Sequence, residues 1–230
     1  MSLLGKVIKE MTNTPRVTTE SVEELTPEDY RFTVDWFSGR EGYWREILSQ
    51  LRPQKLLEIG SYEGRSTVFL IEQCAQIAPA EICCIDSWQG GVEHDQTAMD
   101  EVEARFDANV ALAQSHGTYP VAIRKIKSLS HPALLALDRE ERGSYDFIYI
   151  DGSHQAPDVL ADAVLSFWLL RSGGIMVFDD YLWSMEPFGQ QDALNMPKPA
   201  IDAFVNIYQR KIRVLPGIPL YQIVIEKISD

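Results

Sequence analysis

The stretch LLEIGSYEGRS, from Leu56 to Ser66, decides the fold of this chain. A short apolar run ends at Gly60, and an amphipathic segment begins at Arg65. Gly60 permits a tight turn, and Gly64 lets the backbone come close to a ligand as the next segment begins. The stretch therefore predicts a buried strand, a glycine turn and a helix.

The same alternation continues after Leu56 and predicts an α/β fold. Short apolar runs alternate with longer segments of helical periodicity, which indicates βαβ units and a doubly wound parallel sheet covered on both faces. The predicted strands are Lys55–Gly60, Glu81–Trp88, Val121–Lys127, Tyr145–Asp151 and Gly174–Asp179. The predicted helices between them are Arg65–Ile77, Thr97–His116, His131–Glu141 and Ala156–Leu170.

The two ends of the chain follow other patterns. After a helix at Ala200–Gln209, strands at Ile212–Leu215 and Leu220–Glu226 flank a Pro-Gly turn, so they should pair antiparallel. Residues 1–53 read as a separate arm and cap, and 54–230 as the main domain. In the cap, a capping-box spacing begins at Ser21, and helices are predicted at Pro27–Phe37 and Gly42–Leu51.

Composition limits the classes of partner. The 230 residues carry a formal net charge of −13, so nucleic acid and anionic membrane surfaces are poor partners. No apolar stretch is long enough to span a membrane. Cys74, Cys83 and Cys84 lack the spacing of a disulfide framework or zinc site and read as buried apolar residues. We expect a cytoplasmic protein that acts on a small molecule.

Two acidic residues at strand ends indicate the ligand. A carboxylate at Glu58 would oppose a pyrophosphate at the glycine turn but would suit an ammonium or sulfonium group. Asp86 can accept hydrogen bonds from both ribose hydroxyls, and Trp88 can cover an adenine ring. A ligand with a ribose, an amino-acid end and no phosphate is S-adenosylmethionine. The alternatives are that the glycines serve close helix–sheet packing or a dinucleotide, and that Asp86 caps a turn.

A second acidic group follows strands four and five. Asp151, Asp179 and Asp180 should converge at one edge of the sheet, with His154 three residues after Asp151. Carboxylates so close would repel, so they either hold a divalent cation such as Mg²⁺ or point apart and cap turns. His154 is either a general base, since its ordinary pKa lies near ~6.5, or a solvent-facing turn residue.

The glycine turn with Asp86 resembles that of the class I S-adenosylmethionine-dependent methyltransferases, over residues 55–227. The resemblance implies a Rossmann-like sheet of seven strands with an antiparallel C-terminal hairpin. It places Glu58 near the methionine end of the cofactor, Asp86 at the ribose and Ser128 at the adenine. The residues predicted to bind the cofactor are Glu58, Gly60, Ser61, Gly64, Ser66, Asp86, Ser87, Trp88, Ser128 and Asp151.

The second acidic group is similar to that of metal-dependent small-molecule O-methyltransferases, above all those that modify macrolide sugars. That resemblance implies that Asp151, Asp179 and Asp180 hold the metal, with His154 as general base and Asp151 also catalytic. Catechol-type enzymes often carry Asp-Asn where this chain has Asp179-Asp180, which weakly favours the sugar-modifying branch. A cation that lowers the pKa of an acceptor hydroxyl explains why such residues would be present.

The surroundings of this site are predicted less sharply. The loop Trp183–Pro197 is either a lid, with Trp183, Met185, Phe188 and Met196 as an acceptor wall, or an insertion that packs on itself. Aromatic residues of the cap either close the cofactor site or serve packing; they are Trp36, Phe37, Tyr43 and Trp44. A homodimer is expected, since a loose arm is often ordered by a second subunit.

The sequence predicts an S-adenosylmethionine-dependent O-methyltransferase that acts on a hydroxyl of a small molecule, with a divalent metal. Aminopropyl transfer to a polyamine is one alternative, because it also uses acidic strand ends. A non-catalytic module that binds S-adenosylmethionine is another. A nicotinamide dehydrogenase is the weakest alternative, because Glu58 opposes a pyrophosphate and the phosphate-binding glycine pattern is missing.

Overall fold

The computed structural model describes residues 29–91, 99 and 101–230. Its central feature is one sheet of seven strands in the order β3-β2-β1-β4-β5-β7-β6. The strands are β1 (Lys55–Ile59), β2 (Ala80–Asp86), β3 (Val121–Lys127), β4 (Tyr145–Ile150), β5 (Leu170–Phe178), β6 (Ile212–Val214) and β7 (Ile223–Lys227). The helices are α1 (Glu41–Leu51), α2 (Arg65–Cys74), α3 (Val102–Ser115), α4 (Ser130–Glu141), α5 (Ala156–Leu169) and α6 (Lys198–Tyr208).

The sheet confirms the predicted fold class. Strands β1 to β5 run parallel, while β7 pairs antiparallel with both β5 and β6. Successive residues of a central strand face opposite sides. Leu56 accordingly joins a core cluster with α1, α2 and α3, and Leu57 joins one with α4, α5 and α6. Helices therefore cover both faces of the sheet.

The topology places the predicted site at one edge. In an open parallel sheet, ligands bind beyond the carboxyl ends of the strands, at the point where the strand order reverses. Here the order reverses between β1 and β4, which are hydrogen-bonded neighbours. The loops after β1, β2, β4 and β5 therefore meet around this point.

Three predicted elements need correction. The structure has no helix over residues 29–37, because the backbone of Arg31 and Thr33 bonds to the side chains of Asn109 and Glu63 instead of forming helical bonds. Strand β5 begins at Leu170, four residues early, because Leu170 already pairs with Tyr145 across an irregularity in the register. Strand β7 begins only at Ile223.

Other predictions about the chain are confirmed in part. All three cysteines are free and buried, as expected of apolar residues. None of the helices within the described ranges has both the length and the apolar character required to cross a membrane. The capping box at Ser21 and the loose arm of residues 1–20 lie outside the described residues.

Candidate active site

The glycine turn between β1 and α2 packs directly against the end of β4. Gly60 has φ of +83°, and a Cβ atom at this position would lie 1.9 Å from the Asp151 carbonyl oxygen. Gly64 has φ of +82° and precedes the first residue of α2, with a Cβ position 3.0 Å from the Phe106 ring. Both glycines are therefore required by close packing, and Gly60 brings the predicted cofactor turn against Asp151.

Glu58 lies beneath this turn with no exposed surface. Its carboxylate accepts hydrogen bonds from the hydroxyls of Ser61 at 2.7 Å and Ser66 at 2.6 Å, and a further bond from Thr67. Burial raises the pKa of Glu58, and the three hydroxyl donors oppose that rise. The Glu58 oxygens are enclosed by the turn that they hold, and a position near the methionine end of the cofactor stays a prediction.

Asp86 connects the end of β2 to the same turn. Its carboxylate accepts hydrogen bonds from the backbone N–H groups of Ser61 at 2.8 Å, Tyr62 at 2.9 Å and Trp88 at 2.6 Å. The turn-capping alternative therefore describes what Asp86 does in this structure. Each carboxylate oxygen has two lone pairs, so a ribose contact stays a prediction.

Trp88, at the end of β2, is packed into the core beside the glycine turn. Its side chain is buried, its indole N–H donates to the Tyr62 carbonyl at 2.9 Å, and its ring centroid lies 5.0 Å from that of Phe106. The Lys125 ammonium lies 4.5 Å from the ring centroid. Core packing and a cation–π contact thus occupy Trp88 in this structure, and its adenine-covering role stays a prediction. Ser87 and Ser128 are partly exposed beside it, and their contact with a cofactor stays a prediction.

The acidic group after β4 and β5 comes together as predicted, but unequally. One ligand atom each from Asp151, His154 and Asp180 lie within 4.8 Å of one another. The His154 Nε2 atom is 2.7 Å from Asp180 Oδ2, and the Trp183 ring centroid lies 4.3 Å from that of His154. Two carboxylates and an imidazole at such spacing suit a divalent cation or a proton-transfer pair.

Asp179 is held by several hydrogen-bond donors of its own, and its role as a metal ligand stays a prediction. Its Oδ1 accepts from the Asp180 backbone N–H at 2.8 Å and from Arg40 Nη2 at 3.3 Å. Its Oδ2 accepts from Gln222 Nε2 at 2.8 Å and from the Tyr149 hydroxyl. These four donors fix the direction of the carboxylate at the edge of the acidic group.

Tyr149 joins the two carboxylates at the strand ends. Its hydroxyl is within hydrogen-bonding distance of both Asp151, at 2.9 Å, and Asp179. The hydroxyl carries one proton and can donate to only one of them at a time. Burial and the neighbouring carboxylates raise the pKa of Asp151, and burial with Asp180 raises that of Asp179 against the opposing effect of Arg40.

A small cavity of about 10 Å³ lies at this group, lined by Asp151, Ser153, His154, Asp179 and Asp180 among others. Such a volume holds about one water molecule or ion and leaves no room for an acceptor molecule. A wider groove of about 520 Å³ runs along residues 30–35 and α2, but its lining contains none of the predicted cofactor residues. We therefore do not assign the cofactor to that groove.

The loop over residues 183–197 is held by hydrogen bonds within the loop and by one to the start of α5. Glu186 accepts hydrogen bonds from the Asn195 side chain and the Asp192 N–H, and the Leu194 carbonyl accepts from the Ala156 N–H. Trp183 lies against His154, whereas Phe188 is 90% exposed. Of the four residues predicted to form an acceptor wall, Trp183 is the one in contact with the acidic group. A wall that includes Met185 and Met196 stays a prediction.

The aromatic residues of the cap divide between packing and the site. Phe37 and Trp44 are buried in the core, as the packing alternative expects. Trp36 is exposed, with its ring centroid 5.0 Å from that of Tyr62 in the glycine turn. Tyr43 donates to Gln222, which places it two hydrogen bonds from Asp179.

Sequence reasoning missed three residues that shape the acidic group, namely Arg40, Tyr149 and Gln222. Tyr149 had a detectable signal, since it precedes Asp151 by two residues and strand neighbours at that spacing share a face. Arg40 and Gln222 carry no such signal, because they lie 139 and 43 residues from Asp179 in the chain.

Comparison with known proteins places this geometry in context. Residues 57–181 match a family described as a methyltransferase domain. A rhamnosyl O-methyltransferase of Mycobacterium bovis is 28% identical over 138 residues, which are 60% of this chain and 49% of that protein. The chain thus spans about half the length of this curated relative.

Solved structures agree on the fold. An O-methyltransferase from Bacillus cereus, in complex with SAH, superposes with a TM-score of 0.57 at 15% identity, covering 85% of this chain and 83% of that chain. The methyltransferase MycE from the mycinamycin biosynthetic pathway, in complex with Mg, SAH and mycinamycin VI, gives 0.56 at 17% identity, covering 85% and 51%.

These findings confirm the resemblance drawn from the glycine turn and the strand order. The matched family covers more than half of the chain, including the turn after β1 and the acidic residues that follow β4 and β5. By this match and by its sheet, the chain belongs to the methyltransferase-domain family, within the class I S-adenosylmethionine-dependent fold.

Proposed function

We propose that this protein is an S-adenosylmethionine-dependent O-methyltransferase that acts on a hydroxyl of a small molecule, assisted by a divalent cation. The observation that carries the proposal is the contact between Gly60 and Asp151. A Cβ at Gly60 would lie 1.9 Å from the Asp151 carbonyl oxygen, so the predicted cofactor turn and the acidic group are immediate neighbours. Methyl transfer needs this proximity of donor and acceptor.

The residues of the glycine turn form the cofactor half of the site. S-adenosylmethionine supplies a methyl group on a sulfonium, which is a good leaving group. Asp86 fixes the backbone of Ser61 and Tyr62, and Glu58 fixes the turn from below through the Ser61 hydroxyl. The expected contribution of both acids is thus to hold the turn in a conformation that can receive the cofactor. A ribose contact from Asp86 is part of the proposal.

The acidic group forms the acceptor half. An alcohol is a weak nucleophile until it loses its proton, so the site needs a group that takes that proton. In this proposal His154 Nε2, which is 2.7 Å from Asp180 Oδ2, takes the proton once an acceptor hydroxyl replaces Asp180 as its hydrogen-bonding partner. The Asp180 carboxylate would then stabilise the imidazolium that forms.

The residues present also fit a divalent cation. Asp151 and Asp180 offer hard oxygen ligands around a cavity that holds about one ion, and His154 offers a nitrogen nearby. A bound cation would supply Lewis acidity that lowers the pKa of the acceptor hydroxyl. The same His154 nitrogen cannot be a metal ligand and a free base at once, so its role must be tested.

Replacement of His154 by Asn separates these two roles. If His154 is the base, H154N should lower kcat about 10²–10⁴-fold and remove the acidic limb of its pH profile, while Mn²⁺ affinity measured by calorimetry stays within about twofold. If His154 is a ligand, Mn²⁺ affinity itself should fall. H131N, a change at a helix start far from the acidic group in the sequence, is the matched control.

The relatives suggest where to look for the acceptor. The curated relative is named a rhamnosyl O-methyltransferase, and MycE is solved with Mg and a macrolide. These names support a sugar hydroxyl as the acceptor class here. The test is release of S-adenosylhomocysteine with rhamnosides, macrolide glycosides and catechols as acceptors, with and without Mg²⁺. Turnover that a chelator leaves unchanged would reject the metal requirement.

The alternative functions make different predictions in the same assays. An aminopropyltransferase would join decarboxylated cofactor to a polyamine, whereas the proposed enzyme would ignore both. A non-catalytic module would bind S-adenosylmethionine tightly and turn over no acceptor. Calorimetry that shows no S-adenosylmethionine binding at millimolar ligand would reject the proposed function and the non-catalytic module, and the polyamine assay would then decide on the aminopropyltransferase.

A further inference from the structure

Gln222 is a buried glutamine that lies opposite Asp179 at the edge of the sheet. It directly precedes β7, whereas Asp179 directly follows β5. Phe178 and Ile223 are paired antiparallel, so the next residues of the two segments, Asp179 and Gln222, face each other. Gln222 is only 2% exposed, and its Nε2 donates to Asp179 Oδ2 at 2.8 Å. This neutral amide therefore forms part of the surroundings of the acidic group.

Two donors from α1 fix the direction of this amide. Gln222 Oε1 accepts from the Tyr43 hydroxyl at 2.6 Å and from Trp44 Nε1 at 2.9 Å. Because an indole N–H can only donate, the carbonyl end of the amide must face α1 and its NH₂ end must face Asp179. The opposite orientation would place two donors against each other and an amide oxygen against a carboxylate. The cap helix thus determines which group Gln222 presents to the acidic group.

The other side-chain donors to Asp179 are less firmly committed to it. The Tyr149 hydroxyl also lies 2.9 Å from Asp151, so it can donate to either carboxylate. Arg40 Nη2 lies at the longer distance of 3.3 Å, and its positive charge would repel a cation bound at the same carboxylate. The Gln222 amide adds no such repulsion. Its contact with Asp179 can therefore persist when a cation binds.

We propose that Gln222 is a positioning residue that fixes the Asp179 carboxylate for the divalent cation and couples that site to α1. The inference rests on the proposed function, since it assumes a cation at the acidic group. Asp179 lines the same cavity as Asp151 and Asp180. Partners that orient a metal ligand typically contribute a factor of about 10–100 to metal affinity. By reciprocity, cation binding should also stabilise the contacts between Gln222 and α1.

The first test is Mn²⁺ binding to the full chain, measured by calorimetry and by the electron paramagnetic resonance signal of free Mn²⁺. Q222M keeps the length of the side chain but removes the amide, so it should bind Mn²⁺ at least about tenfold more weakly than the unaltered protein. Y43F keeps the bond from Trp44 and should weaken binding about two- to fivefold. The double variant Q222M/Y43F should bind as Q222M does, because Tyr43 acts through Gln222.

Q114M is the matched control, because it also removes a glutamine amide that joins two elements. Gln114 Nε2 donates to the Val121 carbonyl at 2.6 Å, at the start of β3 and so at the opposite edge of the sheet from the acidic group. Q114M should bind Mn²⁺ as the unaltered protein does. Circular dichroism of each metal-free variant checks that it folds, and Y43F carries the test if Q222M does not fold.

The second test measures the coupling to α1 with the diamagnetic ion Mg²⁺. In nuclear magnetic resonance spectra of the unaltered protein, Mg²⁺ should slow hydrogen exchange of the Trp44 indole N–H at least about threefold. Q222M lacks the acceptor of this N–H, so Mg²⁺ should leave its exchange unchanged. A merely structural role for Gln222 would lower the Tm of Q222M and leave both Mn²⁺ affinity and the response of Trp44 to Mg²⁺ as they were.

The outcomes separate this inference from the proposed function. Tighter Mn²⁺ binding by Q222M, or binding within about threefold of that of the unaltered protein, overturns the inference and leaves the metal-assisted function standing. An equal effect of Y43F with and without Gln222 overturns the coupling through Gln222 in the same way. Absence of Mn²⁺ binding by the unaltered protein rejects both the inference and the metal part of the proposed function.

Discussion

Glu58 and Asp86, at the ends of neighbouring strands, hold the same glycine turn through different hydrogen-bond donors. The Glu58 carboxylate is enclosed by hydroxyls, and the Asp86 carboxylate is bonded to backbone N–H groups. Both therefore organise the glycine turn before any ligand arrives. A rigid turn reduces the ordering cost of binding, so the two acids can matter for cofactor affinity without touching it directly.

Gly60 should be the least replaceable residue of the turn. In G60A the new methyl would lie 1.9 Å from the Asp151 carbonyl oxygen and 2.7 Å from Gly152 Cα, at a φ of +83° that L-residues rarely adopt. Because both obstacles are backbone, they cannot move like a flexible side chain. We expect G60A to lower the free energy of unfolding by at least about 3 kcal/mol and to abolish cofactor binding.

G143A is the control that measures the cost of a left-handed backbone at an alanine without any close contact. Gly143 has φ of +65°, but nothing lies within 4 Å of its Cβ position. Urea unfolding should show a loss of only about 1 kcal/mol for this variant. Equal losses in the two variants would show that the close approach to Asp151 contributes nothing beyond the left-handed backbone.

At the scale of elements, the segment before α1 is fastened to the glycine turn by buried polar groups. Asn109 of α3 accepts from the Arg31 N–H at 2.6 Å and donates to the carbonyls of Arg31 and Glu63. Glu63 accepts from the Thr33 N–H and hydroxyl and from Arg105. Residues 31–33 are thus positioned by the loop that is predicted to bind the cofactor.

N109A should release this segment. The change leaves the Arg31 N–H and two carbonyl groups without their buried partner, so we expect a loss of about 2–3 kcal/mol in the free energy of unfolding. Hydrogen exchange at the amides of Arg31 and Thr33 should also accelerate. N206A removes an exposed asparagine whose side chain donates to the Asp202 carbonyl of its own helix, so it should change neither quantity. Unchanged exchange at residues 31–33 in N109A would contradict the coupling.

The sequence predicted the elements better than their contacts. Apolar runs and glycines reflect the local conformation of the backbone, so the strands, the helices between them and the turn at Gly60 could be predicted from the sequence. The direction of the Asp179 side chain could not, because it depends on Arg40 and Gln222, which are distant in the chain. The helix predicted at 27–37 is absent from its described part for the same reason. The backbone N–H groups there donate to the side chains of Asn109 and Glu63, which are distant in the chain.

At the scale of the whole molecule, the fold collects buried acids near the carboxyl ends of the central strands. Burial raises the pKa of Glu58, Asp151 and Asp179, and it raises the pKa of Asp162 to about 7. Asp162 lies in α5 beneath the turn after β4, with one oxygen 3.7 Å from the Cβ position of Gly152. An acid whose pKa is raised by folding binds its proton more tightly in the folded state. Its stabilising effect is therefore present below the unfolded pKa, and it is lost as pH rises through the folded pKa.

D162N should therefore flatten the pH dependence of stability. The unfolded carboxyl has a pKa near ~3.9. Between pH 5 and 8, the free energy of unfolding of the unaltered protein should therefore fall by about 2.5 kcal/mol because of Asp162, and that of D162N should lack this fall. Urea unfolding at a series of pH values measures the difference, and the other buried acids cancel because both proteins carry them. N206A, which removes no titratable group, should give a curve parallel to that of the unaltered protein. If D162N also ran parallel, Asp162 would be ionised throughout, and the buried acids beneath the site would be stabilised by contacts other than their own protons.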